Sequence, residues 1–133
     1  MQKIFFSFLL LLLATVPAFA QKNTTYPVLV SFNSECCGVP SNEPVVKLVQ
    51  RFKKQYKIKT VTASRIGPMG REGEYYLAFP LKEFTKAQKK LFIDQLKKTA
   101  ETMKEKGNAD VRENETVDVS ALGRGAAVTT MKF

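Results

Sequence analysis

The chain's 133 residues fit a single domain, and 21 lysines and arginines against 12 aspartates and glutamates give a net charge of +9. It contains no histidine, which excludes Ser-His-Asp and Cys-His nucleophile pairs and every zinc site built on histidine. Two cysteines are too few to frame a disulfide miniprotein, so the fold must rest on an ordinary apolar core.

Met1-Gln2-Lys3 gives a short positive start, "IFFSFLLLLLATV" an apolar run, and Ala18-Phe19-Ala20 a small-x-small cleavage pattern. From Ile4 to Ala20 the run has 17 residues, short of the roughly 20 that span a bilayer comfortably. Residues 1–20 are therefore expected to be a cleaved signal peptide, with export to a periplasmic or secreted location. Residue 21 is Gln rather than Cys, so no lipid anchor is expected. No later stretch approaches spanning length, and a soluble protein without a membrane span after cleavage is expected. Export removes nucleic acid from the expected partners of this basic chain. An anionic protein, a glycan or a lipid headgroup takes its place.

"YPVLVSFN" reads as a first strand, with Val28, Val30 and Phe32 alternating on one face. Ser41 or Asn42 caps a first helix with Glu43 and Pro44 in its opening turn. Val45, Leu48, Val49, Phe52 and Tyr56 form its buried stripe, and Lys47, Arg51 and Lys54 fall opposite. "KIKTVTASRI" is a second strand, "GPMGREG" a hairpin, and "EYYLAFPL" a third strand that Pro80 ends or bulges. Thr85-Lys86-Ala87-Gln88 fits a capping box, opening a helix with Phe92, Leu96, Ala100 and Met103 on one stripe. Gly107 is expected to stop it as a left-handed C-terminal residue. "ADVRENETVDVSAL" is a fourth strand with Val117 and Val119 in alternation, and residues 121–133 form a tail or an extra strand.

This order predicts an α+β domain over residues 21–120: a ferredoxin-like split β-α-β-β-α-β, an antiparallel sheet with two helices on one face. The right-handed crossover rule makes the first two strands parallel, with the third between them. The loop after the first strand, the hairpin and the loop after the second helix should then share one end of the sheet. A second reading comes from "VLVSFNSECCGVP", which resembles the active-site stretch of thioredoxins, where a strand ending in Phe precedes a Cys-Gly-Pro-Cys turn and a helix. In that resemblance Cys37-Gly38 takes the place of the first cysteine and its glycine, Cys36 the aromatic position, and Pro40 the second cysteine, which leaves no resolving thiol.

No catalytic constellation emerges. "GPMGREG" lacks the spacing of a phosphate loop and sits between strands, and Glu72 and Glu74 read as solvated charges. The adjacent Cys36 and Cys37 are the candidate thiol or metal site. They can act together only if the backbone turns there, which Gly38 permits. The nearby helix start is expected to stabilise the thiolate. Ferredoxin-like metallochaperones, which the predicted fold resembles, place two metal-binding cysteines in this loop, but spaced Cys-x-x-Cys. Met69 on the hairpin would add a thioether for Cu(I). Otherwise no cofactor is expected. Arg71 with Lys47, Arg51 and Lys54 forms the candidate anion-binding set. Two expectations follow: a non-enzymatic exported binding protein with a basic surface, and alternatively a thiol-dependent protein, either a Cu(I) binder or a thioredoxin-like redox factor. Sequons at Asn23 and Asn114 matter only in a glycosylating host.

Overall fold

A computed structural model describes residues 23–123 and 125–133; the expected signal peptide lies outside the described residues. The elements are β1 (Asn23–Ser34), α1 (Glu43–Gln55), β2 (Thr62–Met69), β3 (Glu74–Phe79), α2 (Lys86–Glu101), β4 (Gly107–Asp118), a short 3-10 turn (Val119–Leu122) and β5 (Ala127–Lys132). The fold is α+β: five strands form one sheet in the order β4-β1-β3-β2-β5, and every neighbouring pair is antiparallel.

The apolar alternation read in the sequence sets the sheet's principal face. Val28, Val30 and Phe32 of β1 and Tyr75, Leu77 and Phe79 of β3 enter one core with Val45, Leu48, Val49 and Phe52 of α1 and Phe92 and Leu96 of α2. Phe52, Phe84 and Phe92 stack and cross edge to face, with centroids 5.0–5.2 Å apart. Each such ring, fully buried, contributes on the order of 1.5–3 kcal/mol. At the start of α1, Ser41 Oγ accepts from the Glu43 N–H (3.2 Å) and Pro44 occupies the first turn, where its missing donor costs nothing. At α2 the Thr85–Gln88 capping box is present in both directions.

Three sequence expectations need correction. The helix α2 ends at Glu101 rather than running to Gly107, and the left-handed residue is Lys106 (φ 64). Gly107 instead opens β4, where a Cβ would collide with the Asn33 carbonyl oxygen, so its small size is required by backbone approach. The second strand starts at Thr62, because Lys57 adopts a left-handed conformation (φ 52) that turns the chain after α1. Val119 does not continue the fourth strand: it begins the 3-10 turn and packs with Val117 on the sheet's other face.

That other face carries a second cluster. Tyr26, Leu29, Ile66, Ala78 and Val117 are buried there, with Tyr76, Val119 and Leu122 packed against them. Residues 127–132 join the sheet as its fifth strand on the free edge of β2, and Phe133 exchanges backbone hydrogen bonds with Val61 (3.0 and 3.3 Å).

Candidate functional site

The register gathers several loops at one end of the sheet. Ser34 at the end of β1 lies opposite Gly107, Phe32 lies opposite Tyr75, and Met69 lies opposite Glu74. The 35–42 loop, the 70–73 turn and the 102–106 connection therefore emerge together, and both α1 and α2 meet this end. Cys36, Cys37, Met69 and Arg71 are all located there. Met69 is half-buried at the end of β2, separated from β1 by the width of β3.

The cysteine turn is pinned on both flanks. Ser31 Oγ donates to Asn33 Oδ1 (2.7 Å), Asn33 Nδ2 to Asn108 Oδ1 (3.0 Å), and Asn108 Nδ2 to Glu35 Oε1 (3.0 Å). The Glu35 N–H adds a bond to the Lys106 carbonyl (3.3 Å). On the far side, Val39 packs on the main core and Pro40 is buried. Between these anchors the chain bends, and Gly38 takes φ +110°, a region open to glycine. The turn brings two adjacent side chains to one side, which a regular strand forbids. Both thiols are exposed, and the Cys37 thiol lies against the Cys36 sulfur.

The electrostatics run against the thiolate expected from the helix start. The Cys36 thiol is pushed above its usual value, first by the hydrogen bond with Cys37, then by desolvation and by the carboxylates of Glu35 and Glu72. The physical reason is distance and sign. The first residue of α1 is Glu43, beyond Gly38–Asn42, and a macrodipole falls off within a turn. The Cys37 hydrogen bond and desolvation act on the thiol first, and the two carboxylates add to them with the same sign. Glu72 comes from the β2–β3 turn, so the charge of that turn reaches the cysteine loop. Among the described residues, no group of three or more Cys, Asp or Glu converges as a metal site. A soft cation would rest on the two thiols, with the Met69 thioether two strands over.

The candidate anion-binding residues divide. Lys47 and Arg51 of α1 line an open cavity of about 550 Å³ together with Lys98 and Thr99 of α2 and Thr102 just beyond its end. Arg51, Lys98 and Thr99 also line its continuation along the helix pair, beside Gln55 and Gln95. Lys47 is bridged to Glu43 (2.7 Å), and this pair holds the Glu43 carboxyl below its usual range. Both partners are well exposed, so the bridge contributes little. Lys54 lies on α1 outside the residues lining this groove, and Arg71 stays on the 70–73 turn. The sequence reading missed Lys98, Thr99 and Thr102. Their signal was a flank of α2 and its C-terminal cap, Gln95, Lys98, Thr99 and Thr102, at three- and four-residue spacing beside the buried stripe.

Comparisons with protein-family models, with curated proteins and with solved structures found no match.

Proposed function

We propose that the protein is a small exported, non-enzymatic binding protein that takes an anionic partner in the groove between α1 and α2. The observation carrying this reading is the convergence of Lys47, Arg51 and Lys98 with the Thr99 and Thr102 side chains on one open cavity. Cations from two helices on one concave surface attract an anion more strongly than the same charges spread evenly. The Thr99 and Thr102 hydroxyls already donate to the Gln95 and Thr99 carbonyls (2.9 and 2.7 Å), so the charge of the anion is met by the cations. Without the leader and its Lys3 the chain keeps 20 basic residues against 12 acidic ones, and this net charge of +8 favours the encounter at range. The fold proposed to carry the groove is the ferredoxin-like split βαβ, extended by β5. It is supported by the β4-β1-β3-β2 order and by two helices sharing one core with one sheet face. Export rests on the leader pattern of residues 1–20.

The test compares two charge reversals of equal size. Arg51→Glu with Lys98→Glu removes the groove cations, and Lys54→Glu with Arg71→Glu changes the net charge equally elsewhere. Binding to a sulfated polysaccharide, an acidic protein and anionic vesicles is measured at low salt. The groove pair is expected to weaken capture of the preferred ligand about tenfold, roughly 1.4 kcal/mol, while the control pair changes it far less. Equal losses would reduce the groove to bulk charge. The ligand that separates the pairs most identifies the partner's class.

A further inference from the structure

We propose that Cys36 and Cys37 form a reversible dithiol–disulfide couple on the protein surface, exchanging with low-molecular-weight disulfides. The proposal is independent of the cationic groove and rests on the geometry of the 35–42 loop. Two adjacent thiols normally diverge, and here they touch. The contact is held by the scaffold, because Glu35 is fixed by Asn108 and Lys106 while Val39 and Pro40 are anchored in the core. Gly38 supplies the left-handed residue that lets the intervening backbone bend, and no atom lies within 4 Å of where its Cβ would be. Neither thiol is shielded from solvent, so burial does not protect the pair from oxidation.

The exchange balances without a further reagent. One thiol loses its proton to solvent, and its sulfur attacks a disulfide R–S–S–R, forming a mixed disulfide and releasing R–S⁻, which is protonated to R–SH. The neighbouring thiol then loses its proton and attacks the protein sulfur of that mixed disulfide. The Cys36–Cys37 bond forms and a second R–SH departs. Two protein thiols are oxidised and one disulfide is reduced to two thiols. Either thiol can start the sequence, and its neighbour completes it. The second step is intramolecular between sulfurs already in contact, so the mixed disulfide does not accumulate. The product is a small ring between neighbours, and exposed, strained disulfides are the readily reduced ones.

The test uses the full-length chain, purified with reductant, freed of it, and incubated with excess glutathione disulfide. Intact mass, peptide mapping and denatured thiol counting follow the reaction. The wild type is expected to lose two hydrogens, to carry its bond inside the one peptide that holds both cysteines, and to recover both thiols with dithiothreitol. Cys36→Ser and Cys37→Ser are each expected to accumulate a glutathione adduct at least about tenfold above wild type. Circular dichroism of both variants checks that the fold is retained. A wild type that accumulates adducts, links to a second copy, or keeps two free thiols would overturn the proposal.

Discussion

Tyr75 is the side chain at which packing and electrostatics meet most directly. Its ring stacks on Phe32 with centroids 4.5 Å apart, and the Arg65 guanidinium lies 4.1 Å from the ring centroid. Burial pushes the phenol's pKa up, and the Arg65 charge and a hydrogen bond with Asn42 oppose that rise only in part. A folded-state value above the unfolded value of about 10 means that the fold holds the proton more tightly. The associated stability is complete below about pH 10 and is lost as pH rises through the folded value. Spectrophotometric titration of tyrosinate is therefore expected to show a late component in the native protein that Tyr75→Phe removes. The same change should flatten the alkaline fall in stability, at a neutral-pH cost of no more than about 1.5 kcal/mol. Much at this scale was legible beforehand: the alternation of Tyr75, Leu77 and Phe79, and the need for a turn beside Cys36. The shift at Cys36 was not, because it depends first on how the turn sets Cys37 against it, and Glu72 adds to it from another loop. Gly107 was misread for a related reason: its constraint comes from the Asn33 carbonyl, which is remote in sequence.

Among the elements, α2 shows how local rules survive when local chemistry is sufficient. The Gln88 N–H donates to Thr85 Oγ1 (3.3 Å) and the Thr85 N–H to Gln88 Oε1 (2.9 Å), as the spacing predicts. Both bonds satisfy donors that the helix start leaves free. Thr85→Ala is expected to lower unfolding stability by about 1 kcal/mol, read as a reduced urea midpoint with an unchanged slope. A midpoint equal to wild type would mean that solvent replaces the cap at no cost. The far end of the same helix was harder to read, since no glycine marks it. Thr102 and Met103 close it through backbone bonds to Thr99 and Ala100, and Met103 reaches the core from beyond the helix. β5 was ambiguous for a different reason. "AVTTMK" has strand propensity but little burial of its own, and its place is set by its pairing with β2 and by the packing of Met131 and Phe133 on the core. The groove shared by α1 and α2 was half legible: Lys47 and Arg51 stand on the polar face of one helix, but Lys98 joins them only through packing.

For the whole molecule, the strand order imposes a crossing. β4 and β5 occupy opposite edges of the sheet, so the chain from Asp118 to Ala127 must traverse one of its faces. Both helices occupy the first face, and the crossing takes the second. Asp118 starts it by accepting from the Ser120 N–H (2.9 Å), which tightens the 3-10 turn and directs Val119 and Leu122 onto Tyr26, Leu29, Ile66, Ala78 and Val117. A sheet buried on only one face would leave that cluster in water, so the crossing is a second, thinner layer rather than a passive connection. Val119→Ser combined with Leu122→Ser keeps the chain length and β5 while removing the cover's apolar contacts. Partial burial of two aliphatic side chains puts the expected loss at about 2–3 kcal/mol, with greater binding of a hydrophobic dye. Val128→Ser is the matched control: it changes a β5 residue that is 47% exposed and is expected to stay within about 0.5 kcal/mol. Equal costs for the pair and the control would show that the second face gains nothing from the crossing. A large loss confined to the pair would identify residues 119–122 as the lid of a second core.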